Sequence, residues 1–243
     1  MRDYLIDIVK HTLPMNAFTQ LRIDADADGT AISATETEKK MVLRAKTHVS
    51  IPEFKQTFGV PNLSLMNTLL NIPVYDENST IRLDTKSDDA GNTIPFNIHF
   101  ENDAGDFKND FRLMSQKVIE SIEPKLTFNA DLPVQFTPSI STMQRFKYQV
   151  SAHPDEKNVE FNIENGVVRC TVGDSSSHSG TFMFHNEGID EKSRYTFSVP
   201  SAYVLTALNM DGDKSIKMGS LGVMITVDSG LISYDYIIPM VSK

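Results

Sequence analysis

Apolar residues recur along the chain in two rhythms, and the rhythm changes in the same order in each half. In "RDYLIDIVKHTL", Leu5, Ile8, Val9 and Leu13 fall at helical spacing and mark one buried face. In "FTQLRIDA" the period drops to two: Leu21, Ile23 and Ala25 alternate with Gln20, Arg22 and Asp24, as in a half-buried strand. Asp28-Gly29 reads as a two-residue hairpin turn, because both positions need positive φ and this pair supplies it, and pairing resumes in "TAISATE". The strand "VLRAKTHV" follows, with Leu43, Ala45 and Thr47 set against Arg44, Lys46 and His48. A second helical region is expected to begin at "IPEFKQTF", break at Gly59 and Pro61, and resume as "NLSLMNTLL". Strands "TIRLDT", "TIPFNIHF" and "DFRLM" close the half, with Pro95 marking the middle one as an edge strand or a late start.

The second half repeats the plan. Ser139 is the expected N-cap of a helix whose apolar stripe is Ile140, Met143, Phe146 and Val150. "NVEFNI" and "VVRCTV" alternate and are joined through Asn165-Gly166, a strong hairpin signal. "GTFMFHN" and "RYTFSV" read as strands, and "PSAYVLTALNM" as a short helix with Pro200 at or near its first turn. "KSIKMG", "GVMITVD" and "LISYDYIIP" finish as strands, the last two joined through Ser229-Gly230. Each half thus reads helix, strands, helix, strands. The expected fold class is α+β, built by duplication of one unit: a first domain at 1–114, a connector at 115–133 with weak periodicity and two prolines, and a second domain at 134–243.

Composition narrows the chemistry. A hydrophobic fraction of 40% is ample for a packed core. The single cysteine, Cys170, alternates with Val168 and Val172 and reads as a small core residue in a reducing cytoplasm. The start "MRDYLIDIVKHTLP" matches neither a signal peptide nor a membrane span, so a cytoplasmic location, the host's if the protein is viral, is the expectation. Asp24, Asp26, Asp28 and Gly29 begin as a calcium loop would. The twelfth position, however, is Thr35 rather than Glu, and the flanks are strands, so a hairpin is the better reading and no metal is expected. "GDSSSHSG" at 173–180, with His178, resembles a serine-esterase block but leaves a hairpin strand in mid-chain, as a polar loop would. No phosphate-cradling loop and no paired metal-binding histidines appear, so neither an enzyme nor a cofactor is expected.

Three stretches carry a family likeness. "SLGVMITVDSGLISYDYIIPMV" resembles the last hairpin and Pro-containing tail of DNA sliding clamps, the processivity factors of replicative polymerases. "ISTMQRFKYQVSAHPDEKNVEFNIENGVVRCTVGD" resembles the helix and hairpin that open the second domain of tailed-phage replication clamps. "VSIPEFKQTFGV" to "STIRL" resembles the second helix and following strand of their first domain. The resemblance implies a homotrimeric ring with inner helices and outer sheets, double-stranded DNA threading it, a DNA polymerase bound outside, and a clamp-loader ATPase that opens it. It also implies a partner pocket built from Val118, Ile119, Ile122, Leu126 and Phe128 of the connector with Pro239, Met240 and Val241 of the tail.

Charge sets a local demand on that reading. The total of −9 disfavours casual nucleic-acid binding, so the exposed helix faces should be basic or neutral. With a rotation of about 100° per residue, Arg145, Tyr148 and Gln149 lie opposite the apolar stripe and Lys147 at its edge. Lys10 and His11 share the exposed face of the first helix with Asp3 and Asp7, Arg2 precedes that helix, and Lys55 sits on the next helical segment. The expected DNA-facing set is Arg2, Lys10, His11, Lys55, Arg145, Lys147 and Gln149. The rival is a non-enzymatic β-rich virion component or ligand-binding sandwich. It would not need amphipathic helices at matching places, and a chain without tryptophan lacks the usual flat sugar platform.

Overall fold

A computed structural model describes residues 1–243 apart from 27–28, 55, 88–90, 116–117, 120–130, 175, 177 and 242–243, and apart from the side chain of Asp26. The chain divides into two compact units: Met1–Glu36, Leu43–Lys125 and Ser229–Ser233 in the first, and Thr37–Val42, Leu126–Asp228 and Tyr234–Lys243 in the second. No helix among the described residues is long and apolar enough to cross a membrane.

The first unit runs α1 (Arg2–Thr12), β1 (Leu21–Asp26), β2 (Gly29–Thr35), β3 (Val42–Thr47), β4 (Phe58–Val60), α2 (Leu63–Leu70), β5 (Thr80–Ser87), β6 (Thr93–Glu101) and β7 (Lys108–Arg112). Its strands neighbour one another in the orders β4-β1-β2-β3 and β5-β6-β7. Helix α1 packs on α2. Asn62 caps α2 by accepting from the Leu65 backbone N–H at 2.9 Å.

The second unit runs β8 (Val134–Phe136), α3 (Ile140–Ala152), β9 (Asn158–Glu164), β10 (Val167–Val172), β11 (Gly180–His185), β12 (Tyr195–Pro200), α4 (Ser201–Asn209), β13 (Asp213–Gly219), β14 (Gly222–Asp228) and β15 (Ile232–Pro239). Its strand orders are β12-β9-β10-β11 and β15-β14-β13-β8. Counted from the first helix of each unit, the fourth, first, second and third strands stand in the same order in both. The last three strands are likewise consecutive neighbours in both. The closing contact also repeats. Met114, just beyond β7, donates its N–H to Gly59 in β4 at 3.0 Å, and Val241, just beyond β15, donates to Ser198 in β12 at 2.7 Å.

Several expectations change on contact with the structure. The β1–β2 register pairs Asp26 with Gly29, so Gly29 is the first residue of β2 and not the second turn residue; positions 27–28 lie outside the described residues. Asp24 accepts from Arg22 Nε at 2.8 Å and from Thr57 Oγ1 at 2.8 Å, so its carboxylate is committed within the hairpin region. "IPEFKQTF" is not a helix. Phe54 N–H turns back to Ile51 at 2.9 Å, and Phe58 enters β4, paired with Ile23 of β1. The helical spacing of Ile51, Phe54 and Phe58 is met by one tight turn and a strand, which bury all three side chains. β6 is the central strand of its sheet, yet Pro95 fits, because β7 pairs with β6 only from Asn97 onward and the β5 register slips at this point. The Asn165-Gly166 turn forms as expected, with φ of 52° and 73°.

In α3 the N-cap is Ser139, accepting from Thr142 N at 3.1 Å. Its buried face differs from the expected stripe: Phe146 and Thr142 are buried, whereas Ile140 is 72% exposed. Phe146 meets Phe184 at 6.0 Å and Phe161 at 6.5 Å between ring centroids. Phe146→Ala should therefore cost about 3–5 kcal/mol, while Ile140→Ala should stay within about 0.5 kcal/mol of the parent. Urea unfolding of the two variants separates these outcomes.

Candidate functional site

The exposed sides of the helices carry a charge balance unlike that of the whole chain. Helices α1 to α4 hold Arg2, Lys10, Arg145 and Lys147 against Asp3 and Asp7 only, and α2 and α4 hold no charged residue. The net −9 therefore arises outside these helices. On α3, Arg145, Lys147 and Tyr148 are exposed, and Arg145 Nη2 donates to Ser141 Oγ at 3.1 Å, one turn back. No acidic residue interrupts this helix, so its solvent side is a short basic strip with an aromatic ring.

Two members of the expected DNA-facing set point elsewhere. His11 is only 4% exposed. Its Nδ1–H donates to the Asp7 carbonyl at 2.9 Å, and the Asp7 carboxylate lies 3.4 Å away. The buried face of α1 is wider than its apolar residues imply, because Thr12 satisfies its own hydroxyl on the Ile8 carbonyl at 2.6 Å and can be enclosed with His11. Gln149 is half-buried against Gly180 of β11, where a β-carbon would collide with its side-chain amide. Rotation alone cannot show this, since it depends on a glycine in another strand. Arg2 hydrogen-bonds the Asp76 carbonyl and, at 3.5 Å, the Leu70 carbonyl, tying α1 to the end of α2. Lys10 is exposed, and Lys55 lies outside the described residues.

Of the expected partner surface, Ile122, Leu126 and Phe128 lie outside the described residues. Val118 is 42% exposed, whereas Ile119 is 2% exposed and packs beside Gly59. Both of their N–H groups return to the Ser115 carbonyl, at 2.9 and 3.1 Å. In the second unit Pro239 and Val241 are half-buried and Met240 is 41% exposed, with Met240 N–H bonded to Leu221 O at 2.8 Å. Val241 also lines a concavity of about 610 Å³ with Lys40, Val150, His153, Pro200 and Tyr203.

The serine-esterase likeness dissolves into a loop between β10 and β11, where Ser176 donates both N–H and Oγ to Asp174, at 2.7 and 2.6 Å. Cys170 is fully buried in β10, and burial pushes its thiol pKa far up, so it is not poised as a nucleophile. One surface has no counterpart among the expected sites: the polar face of the β5–β6–β7 sheet, centred on His99. Its only sequence trace is alternation within three separate strands, which cannot show that they lie side by side.

No protein-family model matches the chain, and no curated protein sequence matches it. Solved structures do. A. fulgidus PCNA, with the C-terminal region of FEN-1 bound to it, superposes with a TM-score of 0.71 at 12% identity, covering 100% of this chain and 97% of that one. PCNA from Thermococcus kodakaraensis gives 0.66 at 11% identity, covering 98% and 97%. Proliferating cellular nuclear antigen from Entamoeba histolytica gives 0.67 at 13%, covering 97% and 95%.

Ile119 offers a check on this part of the fold. Ile119→Ala should destabilise by about 2–5 kcal/mol, and Val118→Ala by less than about 0.5 kcal/mol, as read by thermal or urea unfolding. At under a quarter identity and over nearly all of each chain, the likeness is one of architecture, and the chain has the α+β fold of PCNA-type sliding clamps.

Proposed function

We propose that this chain is a sliding clamp: a non-enzymatic ring of identical subunits that encloses double-stranded DNA and tethers a DNA polymerase, after opening by a clamp-loader ATPase. The observation that carries the reading is the repeat of one connectivity in both units, each with a helix pair whose charge is neutral or basic in an acidic chain. A ring holds DNA by enclosure, so a few phosphate contacts suffice and strong affinity is not required. The helices a purely β-rich virion protein would not need are present at matching places in both units.

The DNA-facing residues under this reading are Arg145 and Lys147, with Lys10 and Arg2 in support. The domain limits proposed are 1–114, 115–133 and 134–243, whereas the compact units place Thr37–Val42 with the second and Ser229–Ser233 with the first. Assembly draws on open strand edges. The outer edges of β4 and β12 are taken by Met114 and Val241, while β7 and β11 stand at the rims of their sheets. Pairing such edges head to tail joins copies without a symmetric face and closes when the rotation fits. A homotrimer is the count that the family resemblance supports, and the tailed-phage likeness rests on the helix and hairpin from Ile140 to Asp174. The A. fulgidus protein binds the C-terminal region of another protein, FEN-1. A comparable segment here would use Val118, Met240 and Val241 as direct contacts, with Ile119 as an anchor beneath.

Mass and retention on DNA test the proposal. Light scattering should give a mass of several times 27.2 kDa, three times for a homotrimer. A monomer at every concentration would overturn the ring. After loading by its cognate ATPase, the protein should stay on closed circular DNA and leave linear DNA, and equal retention would refute enclosure. Charge reversal at Arg145 and Lys147 together should weaken loading and reduce its salt sensitivity, since each lost phosphate contact lowers the slope of log affinity against log salt by roughly one.

A further inference from the structure

The polar face of the β5–β6–β7 sheet is a built array. Arg82 of β5, His99 of β6 and Asp110 of β7 lie side by side in register, as do Asp84, Asn97 and Arg112. His99 is 8% exposed. Its Nδ1 lies 2.7 Å from Asp110 Oδ1, and its Nε2 lies 3.1 Å from Glu101 Oε2. Asn97 Nδ2 donates to Asp84 Oδ2 at 3.1 Å and to Asp110 Oδ1 at 3.2 Å, holding a carboxylate from each outer strand over the central one. One donor atom each from Asp84, His99 and Asp110 falls within 4.8 Å of the others.

We propose that Asp84, His99 and Asp110 bind a divalent transition-metal ion, zinc foremost, with Glu101 and Asn97 as its supporting shell. Ligand atoms around a tetrahedral zinc stand roughly 3.4 Å apart for bonds of about 2.1 Å. The 2.7 Å contact between His99 Nδ1 and Asp110 Oδ1 is shorter than that, so the exposed Asp110 carboxylate would swing back from Nδ1 to admit the ion between them. The supporting shell is what separates this cluster from a chance gathering of acids. A metal-binding imidazole characteristically gives its second N–H to a carboxylate, which fixes the tautomer and raises the basicity of the ligating nitrogen. Glu101 stands in that position behind His99, and its other oxygen is anchored by Lys108 Nζ at 2.8 Å. Asp84 is steadied in the same way by Arg82 Nε at 2.8 Å on Oδ1, which leaves Oδ2 toward the cluster.

The chemistry selects the ion. One imidazole with two carboxylates suits zinc, cobalt or manganese, whereas magnesium and calcium prefer oxygen alone. The Asp110 side chain is 64% exposed, so ions enter and water completes the coordination from that side. Burial draws the His99 imidazolium pKa down, but the hydrogen bonds to Asp110 and Glu101 outweigh it, with Arg82 opposing, and the net displacement is upward. Only the neutral imidazole ligates, so binding would release the proton from Nδ1. The bound ion would join β5, β6 and β7 through one ligand from each.

The test uses chelator-stripped full-length protein, cobalt(II) absorption as the spectroscopic probe and zinc(II) titration calorimetry as the measure of affinity. The expected result is one equivalent bound, with a tenfold or greater loss in Asp110→Asn and in His99→Gln, a smaller loss in Glu101→Gln, and no change in the control Asp103→Asn. Asp110 lies on the surface, so its variant should keep the parent's circular dichroism and decides the matter even if the His99 variant misfolds. Absence of binding by the parent protein, or equal binding by Asp110→Asn, overturns the proposal.

Discussion

Both units depend on satisfying the backbone of a strand at the rim of a sheet. β4 has three residues and would leave its outer carbonyl unpaired; the chain supplies the missing donor from Met114, just past the unit's last long strand. Burying a backbone group without a partner costs about 1–3 kcal/mol, enough to matter in a fold of ordinary stability. The contact therefore ties the start of a unit to its end. It also explains Gly59: a β-carbon there would come within 2.6 Å of Met114 Sδ and 3.1 Å of Ile119. The burial of Ile119 follows from the absence of a side chain at that position. The second unit repeats the closure with Val241 on Ser198.

Legibility in the sequence tracks whether a signal is local. The α3 cap at Ser139, the Asn165-Gly166 turn and the alternation of β9, β10, β14 and β15 depend on near neighbours and are readable. The segment from Ile51 to Phe58 misleads because spacing reports which side chains are buried, not how the backbone hides them. The rule that sends Pro95 to an edge holds locally: β6 has no β7 partner at that point, although it is central elsewhere. Rotation alone assigns His11 and Gln149 to solvent, yet His11 is buried and Gln149 is half-buried against Gly180 of another strand.

The polar face around His99 is illegible for a related reason. Asp84, His99 and Asp110 are separated by 15 and then 11 positions in the sequence, and each alone reads as a solvated strand residue. Register brings them together, and register is fixed by the buried counterparts on the opposite face, Ile98, Phe100 and Phe111. The hydrophobic pattern thus determines a polar constellation on the side of the sheet it does not occupy.

The same separation of faces accounts for an acidic protein whose helices are neutral or basic. Helices α2 and α4 meet solvent through Ser64, Leu65, Thr68, Ala202 and Asn209, none of them charged. Acids would serve solubility there as well as anywhere, yet among the described residues they are confined to strands, loops and the first helix. If the proposed clamp function holds, a polyanion moves past these helices, and low friction matters more than tight binding. Neutral side chains with a few cations meet that need, because each added phosphate contact deepens a well that sliding must leave. Acidic strands and loops raise the net negative charge and disfavour adventitious attachment to nucleic acid elsewhere on the surface. Under the proposed clamp reading, sparse basic charge on these helices, too weak for a DNA-binding protein judged by affinity, is the arrangement expected when topology supplies the retention.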